Sequence, residues 1–243
     1  MGNVCYQNDK VMIYKIEGCS IGSASIDFDI EGIAQVAWSG NGKLITEQAT
    51  LNTAAGQAST KGLINEGISS TTNFIRQKLT DLAIAYDASE STGDTTGIGS
   101  SDITYSLTLT GGNITIENNL TYLTPESLGT VNQPLGHVMG TRSVSGNFTC
   151  YLNDVSNGSA DLFENLVEST GLITNAFALT FGIGGSGNTP SVDVAIPKAH
   201  LELPSHSIDD VIGIEVNFHG LSSDLSSATA SSSANEISLV YNV

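Results

Sequence analysis

Apolar residues recur at every second position over much of the chain. From Ser25 to Trp38 the even positions read Ile26, Phe28, Ile30, Gly32, Ala34, Val36 and Trp38, while the odd positions begin Ser25, Asp27, Asp29 and Glu31. A period of two places apolar groups on one face of a strand and carboxylates on the other. The segment therefore predicts a long strand, or a bent strand pair, with one wet face and with Trp38 on the apolar side. "NITIENNLTY" repeats the pattern, setting Ile114, Ile116, Leu120 and Tyr122 against Thr115, Glu117, Asn119 and Thr121. In "SVSGNFTCYL", Val144, Phe148, Cys150 and Leu152 oppose Ser143, Ser145, Asn147 and Thr149. In "VIGIEVNFHG", Ile212, Ile214, Val216 and Phe218 oppose Gly213, Glu215, Asn217 and His219. Such segments predict antiparallel sheets packed on one face and solvated on the other.

Further strands are expected at Val11 to Glu17, Phe74 to Tyr86, Ile103 to Leu109, Phe177 to Ile183, Val192 to Ile196 and Ile237 to Tyr241. One stretch, "SADLFENLVEST", predicts a helix near residues 159–169: Leu162, Phe163, Leu166 and Val167 form a narrow stripe. Ser159 is placed to cap it and Asp161 to favour the positive end of its dipole. Burying those four side chains is worth roughly 1.5–3 kcal/mol each, enough to dock the helix on a sheet. Long connections at Ser39 to Thr72, Ala88 to Ser101, Thr124 to Thr141 and Leu221 to Asn235 are rich in Gly, Ser, Thr or Pro. Loops of that length are functional or mobile, and in an assembly they serve as arms that order against a neighbour.

Two distant segments resemble each other. "SIDFDIEGIAQVAWSG" (from Ser25) and "SIDDVIGIEVNFHG" (from Ser207) both open Ser-Ile-Asp and close on an aromatic two residues before a glycine. "YKIEGCSIGSASI" and "IPKAHLELPSHSI" align upstream of them without a gap, and "DLAIAYD" and "EISLVYN" follow downstream after long excursions. The pattern predicts a partial duplication: residues 1–95 as an N-terminal β portion and 96–243 as a larger β unit carrying the helix. Repetition of a sheet piece without repeated catalytic groups points to architecture.

Composition sharpens this picture. In 243 residues only 14% are charged, yet 25 acidic residues against 8 basic ones give a net charge of -17. A nucleic-acid grip needs clustered Lys and Arg, which the chain lacks. No apolar run approaches a membrane span, and "MGNVCYQNDK" lacks the apolar core of a signal peptide. Cys5, Cys19 and Cys150 are scattered without metal-ligand spacing and are expected as buried free thiols in a reducing cytoplasm.

No enzymatic constellation emerges. Gly182, Gly184 and Gly187 match G-x-G-x-x-G, but Asn188, Thr189 and Pro190 lead into another strand where a dinucleotide site requires a helix. A glycine-rich hairpin bend accounts for the segment. His137, His200, His206 and His219 show no metal-ligand spacing, and Asp209-Asp210 and Asp27-x-Asp29 lack the loop of a calcium site. No G-x-S-x-G elbow surrounds a serine. The expectation is no catalysis, no metal and no cofactor.

From about Ser100 to Gly220 the chain resembles the tail tube proteins of tailed bacteriophages. The ordered segments that carry the resemblance are "LTGGNITIENNLTYLTPESLG", "GTRSVSGNFTCYLND", "SADLFENLVE", "NAFALTFGIGG", "VDVAIPKAHLELPSH" and "IDDVIGIEVNFHG". The resemblance implies an all-β sandwich flanked by one α-helix, whose sheets join between subunits into a tube. It implies rings, six-membered in the simplest case, stacked with other tail proteins in a virion assembled in the host cytoplasm. DNA passes through such a tube during ejection without specific binding. A duplicated chain permits three copies to supply six modules instead. An acidic lining suits passage, since a basic one would hold many phosphates at once; Asp27, Asp29, Glu31, Glu117 and Glu215 are the residues expected to face the lumen. The alternative is a receptor- or carbohydrate-binding β-sandwich, which expects aromatic platforms on loops that here carry almost no Trp or Tyr.

Overall fold

The computed structural model describes residues 4–7, 10–48, 75–88, 101–123, 136–168, 177–185, 187–188, 190–208, 212–222 and 236–242. In chain order the strands are β1 (Val4–Gln7), β2 (Lys10–Glu17), β3 (Ser20–Asp29), β4 (Gln35–Asn41) and β5 (Leu44–Gln48). After a 3-10 turn at Gln77–Leu79 come β6 (Asp81–Tyr86), β7 (Ile103–Leu107), β8 (Leu109–Glu117), β9 (Leu120–Leu123), β10 (Gly136–Met139) and β11 (Ser143–Tyr151). Helix α1 (Ser159–Glu168) precedes β12 (Phe177–Ile183), β13 (Ser191–Leu201), β14 (Ser205–Ile208), β15 (Ile212–Leu221) and β16 (Ser238–Asn242). The chain divides into two units, one of residues 1–23, 38–71 and 118–142, the other of 24–37, 72–117 and 143–243.

The larger unit is an all-β sandwich. Its sheet runs β4-β3-β8-β11-β15-β13-β12-β6-β7, with β14 added to β15 and β16 to β13. Strand β15 pairs β11 from Gly213 to Gly220, but meets β13 only through Phe218–Leu221 against Lys198–Leu201. Beyond that corner β13 takes β16 as partner and β15 takes β14. The ladder thus splits into two layers, β4-β3-β8-β11-β15-β14 and β16-β13-β12-β6-β7. Between them Phe28 meets Phe181 with ring centres 5.7 Å apart, and Phe181 meets Phe218 at 5.8 Å.

Alternation explains why this layer pair has one core. Leu82, Ile84 and Tyr86 of β6 point inward, as do Phe177, Leu179, Phe181 and Ile183 of β12. Val144, Phe148 and Cys150 face Ile214, Val216 and Phe218 in the same cluster. Each such side chain contributes about 1.5–3 kcal/mol of burial. Helix α1 docks beside β7 through Leu162 and Leu166, and Asn165 donates to the Tyr105 hydroxyl at 2.8 Å. Val167 is exposed, so the apolar stripe is narrower than the sequence predicts. The Ser159 hydroxyl does not cap the helix. It donates to the Tyr151 carbonyl and accepts from the Asn153 amide, both at 2.8 Å, pinning the approach to the helix instead.

Several sequence expectations change here. The alternation that begins at Ser25 stops at Asp29, where a turn separates β3 from β4. All of β4 is exposed, and Trp38, expected on an apolar face, is 55% accessible. The stretch "NITIENNLTY" breaks at Asn118–Asn119, with Asn119 at φ 46°, so β8 and β9 are separate strands. In the expected strand from Phe74, residue 74 lies outside the described residues, and the strand begins only at Asp81 after the 3-10 turn. Two expected loops contain strands, β5 and β10. Cys150 is buried but Cys19 is exposed. Gly184, Gly185 and Gly187 all have positive φ in the bend from β12 to β13, which is the hairpin the glycines predict.

The smaller unit holds the sheet β1-β2-β5 and the hairpin β9-β10. Gly18 at φ 61° turns β2 into the start of β3. Polar contacts dominate: the Tyr122 hydroxyl donates to the Asn41 carbonyl at 3.1 Å, Asn118 Nδ2 to the Ile21 carbonyl at 2.9 Å, and Asn119 Nδ2 to the Thr141 carbonyl at 2.8 Å. None of the side chains described in this unit is buried.

Candidate functional site

Strands β3, β8, β11 and β15 lie side by side in the larger unit, and each turns its apolar positions toward the core. Their other positions make one solvated surface. Across three of these strands the register aligns Asn113, Asn147 and Asn217 in a single row. Glu117 sits opposite Ser143, and Glu215 opposite Thr149. Asp27 and Asp29 occupy the exposed positions of β3. None of the four strands contains a Lys or Arg.

Hydrogen bonds organise this surface. The Asn147 side chain receives the Asn113 amide at 3.1 Å and donates through Nδ2 to Glu215 at 2.8 Å. Asn217 donates to one oxygen of Glu202 at 3.0 Å, and His219 lies 3.1 Å from the other. Those two contacts, the Asn217 bond first, hold the Glu202 carboxyl below its usual range. Glu202, in the segment after β13, was absent from the acidic residues singled out in the sequence. Its signal was present in "HLELP", where Leu201 and Leu203 flank it at alternate positions.

Of the five carboxylates expected together, four lie on these strands and one does not. Glu31 belongs to the turn after β3, where its amide and that of Gly32 donate to Asp29 Oδ1 at 2.9 and 2.5 Å. Asp29 therefore spends one oxygen on closing the turn. Gln77 braces the same region, donating to the Asp27 carbonyl at 2.5 Å and receiving the Asp29 amide at 3.2 Å.

The face has the chemistry of a wet, electronegative wall. Carboxylates are spread along it with amide side chains between, and no nucleophile is paired with a base. Among the described residues no three His, Cys, Asp or Glu gather as a metal site, and no helix is long and apolar enough to cross a membrane. His137 contacts Ser20 and stacks near Tyr122 in the smaller unit, while His206, Asp209 and Asp210 fall outside the described side chains.

Comparison with known proteins follows the same lines. A family model described as phage tail tube protein matches residues 4–220. The chain is also similar to tail tube protein pb6 of Escherichia phage T5, with 33% identity over 223 residues. That match takes in 89% of this chain and 44% of pb6, so the chain spans less than half the length of that relative.

Proposed function

The chain belongs to the phage tail tube protein family, and from that premise we propose that it is a non-enzymatic subunit of the virion tail. In this reading copies associate as rings, six-membered or built from three duplicated chains. The rings stack with other tail proteins in the host cytoplasm, and the assembly gives DNA a passage at ejection. The observation that carries the reading is the cation-free face of β3, β8, β11 and β15, presenting Asp27, Asp29, Glu117 and Glu215. Duplex DNA places a charge about every 1.7 Å along its axis, so a wall of carboxylates leaves it unbound and free to slide. Glu31, in the adjoining turn, extends the same charge to the rim.

Two further features support assembly. Strand β4 ends the sheet order with every position exposed, and β16 is exposed at Ser238, Leu239, Val240 and Tyr241. Free edges of this kind are templates for pairing with another chain. The duplication also has a structural echo: β2, β3 and β4 repeat the strand-then-hairpin order of β13, β14 and β15. This supports residues 1–95 as a shortened relative of the later module.

Electron cryomicroscopy of the assembled protein tests the reading. The expected result is a hollow tube whose bore is lined by Asp27, Asp29, Glu117 and Glu215. A neutral or basic bore, or a closed monomer under all assembly conditions, overturns it.

A further inference from the structure

The two units divide the charge of the chain unequally. The smaller one contains Lys10, Lys15, Lys43, Lys61 and Arg142 against Asp9, Glu17, Glu47, Glu66 and Glu126, so its net charge is zero. The remaining 3 basic and 20 acidic residues belong to the larger unit, which alone carries the -17. The neutral unit is also the one without a core. Its exposed apolar residues include Ile45 at 65%, Trp38 at 55%, Val138 at 53% and Met139 at 73%.

A three-stranded sheet and a lone hairpin need an apolar face to pack against something, because isolated strand pairs are marginal in water. Ordering each residue costs about 1–2 kcal/mol of backbone entropy, and exposed hydrogen bonds such as those of Tyr122 and Asn119 return only about 0.5–1.5 kcal/mol each. Apolar groups left in water on such a scaffold mark a contact surface.

We infer that the neutral unit is the surface through which one copy of this chain seats on a second copy, burying Ile45, Trp38 and Met139. Charge selects that occupant. Two copies meeting through their larger units bring together surfaces with 20 acidic residues each, and that like-charge contact opposes association. A contact through the neutral unit avoids the repulsion, and its five basic residues can face the neighbour's carboxylates. The inference rests on the self-assembling role proposed above and assigns the part of the chain that performs it.

The test uses the full chain. A photo-crosslinking amino acid at position 45 is expected to join two copies within assembled particles. Ile45→Glu combined with Met139→Glu is expected to raise the protein concentration needed for assembly at least ten-fold. Ile45→Ser with Met139→Ser, which removes apolar surface without adding charge, is expected to raise it by less. Retained shielding of the buried Cys150 thiol shows that the larger unit of each variant is folded. A double glutamate variant that is folded and assembles like the parent overturns the inference while leaving the tube reading intact. A cross-link from position 45 to a different virion protein also overturns it. A parent chain that never assembles sinks both.

Discussion

Phe218 stands directly across from Gly146 in the β11–β15 ladder, and its ring tip lies 2.6 Å from where a Cβ on Gly146 would sit. The glycine is therefore a packing requirement rather than a flexible joint. Its absent side chain lets the Phe218 ring lie flat over the neighbouring backbone, where it also meets Phe148 and Phe181. The carbonyl of Asn113 crowds the same point from the other side.

Gly146→Ala is accordingly expected to destabilise the subunit by about 1–3 kcal/mol, the usual cost of overpacking. Combining it with Phe218→Leu should cost less than the two single changes added together, since the shorter side chain withdraws one of the two obstructions. Chemical denaturation of the four proteins measures the coupling. Strict additivity would show that the ring is not what excludes a Cβ.

Phe181→Ala removes the aromatic that touches both layers of the sandwich. A loss of about 3–5 kcal/mol is expected. Trp38→Ala, on an exposed strand, should cost the isolated subunit within about 0.5 kcal/mol, as surface changes usually do. Thermal unfolding separates these outcomes.

Ser159 is buried and bridges the Tyr151 carbonyl and the Asn153 amide. Ser159→Ala leaves both backbone groups without that partner, so about 1–3 kcal/mol should be lost. Were the hydroxyl a simple helix cap, Ser159→Asn would restore stability. The larger side chain in a buried bridge is expected to fail, which equilibrium unfolding will show.

The Cys150 thiol is pushed up to about 11 by burial, whereas Cys19 is exposed. Only the thiolate reacts readily. In a Cys5→Ser background, a maleimide at neutral pH should label Cys19 and spare Cys150 until the chain unfolds. Because folding raises the Cys150 value, the protonated thiol favours the folded state below the unfolded value, and this contribution fades as pH climbs toward 11. Mass spectrometry of labelled peptides across pH checks both statements.

Glu202 shifts in the opposite direction, since Asn217 and His219 stabilise its ionised form. Its contribution to stability is thus present above the unfolded value and lost as pH falls through the lowered folded one. Full exposure to solvent keeps that contribution small. Asn217→Ala is expected to move the Glu202 titration back upward, followed by carboxyl NMR; an unchanged curve would assign the shift to His219 alone.

How much of this was legible in the sequence depends on what each residue's environment had to know. Alternation located the buried face of β3, β11 and β15 because a core enforces a period of two. It failed at Glu31 and Trp38 because the turn after β3 is made by Asp29 accepting two backbone amides, a local bond that hydrophobic period cannot reveal. Asn119 likewise ends β8 by adopting a positive φ inside an apparently regular pattern. Strands β5 and β10 went unseen since the side chains described on them are mostly exposed, leaving nothing to pattern. Four acidic residues of the candidate face were found through their strands, whereas Glu202 joins it through Asn217 and His219 across the sheet.

The uneven sharing of acid and base between the two units has a consequence for any assembly of this chain. Packing many copies together concentrates fixed anionic groups in one volume, and electroneutrality draws mobile cations in with them. The assembled object is thus a cation-exchange medium. The potential met by a solute inside it depends on the surrounding electrolyte as much as on the polypeptide.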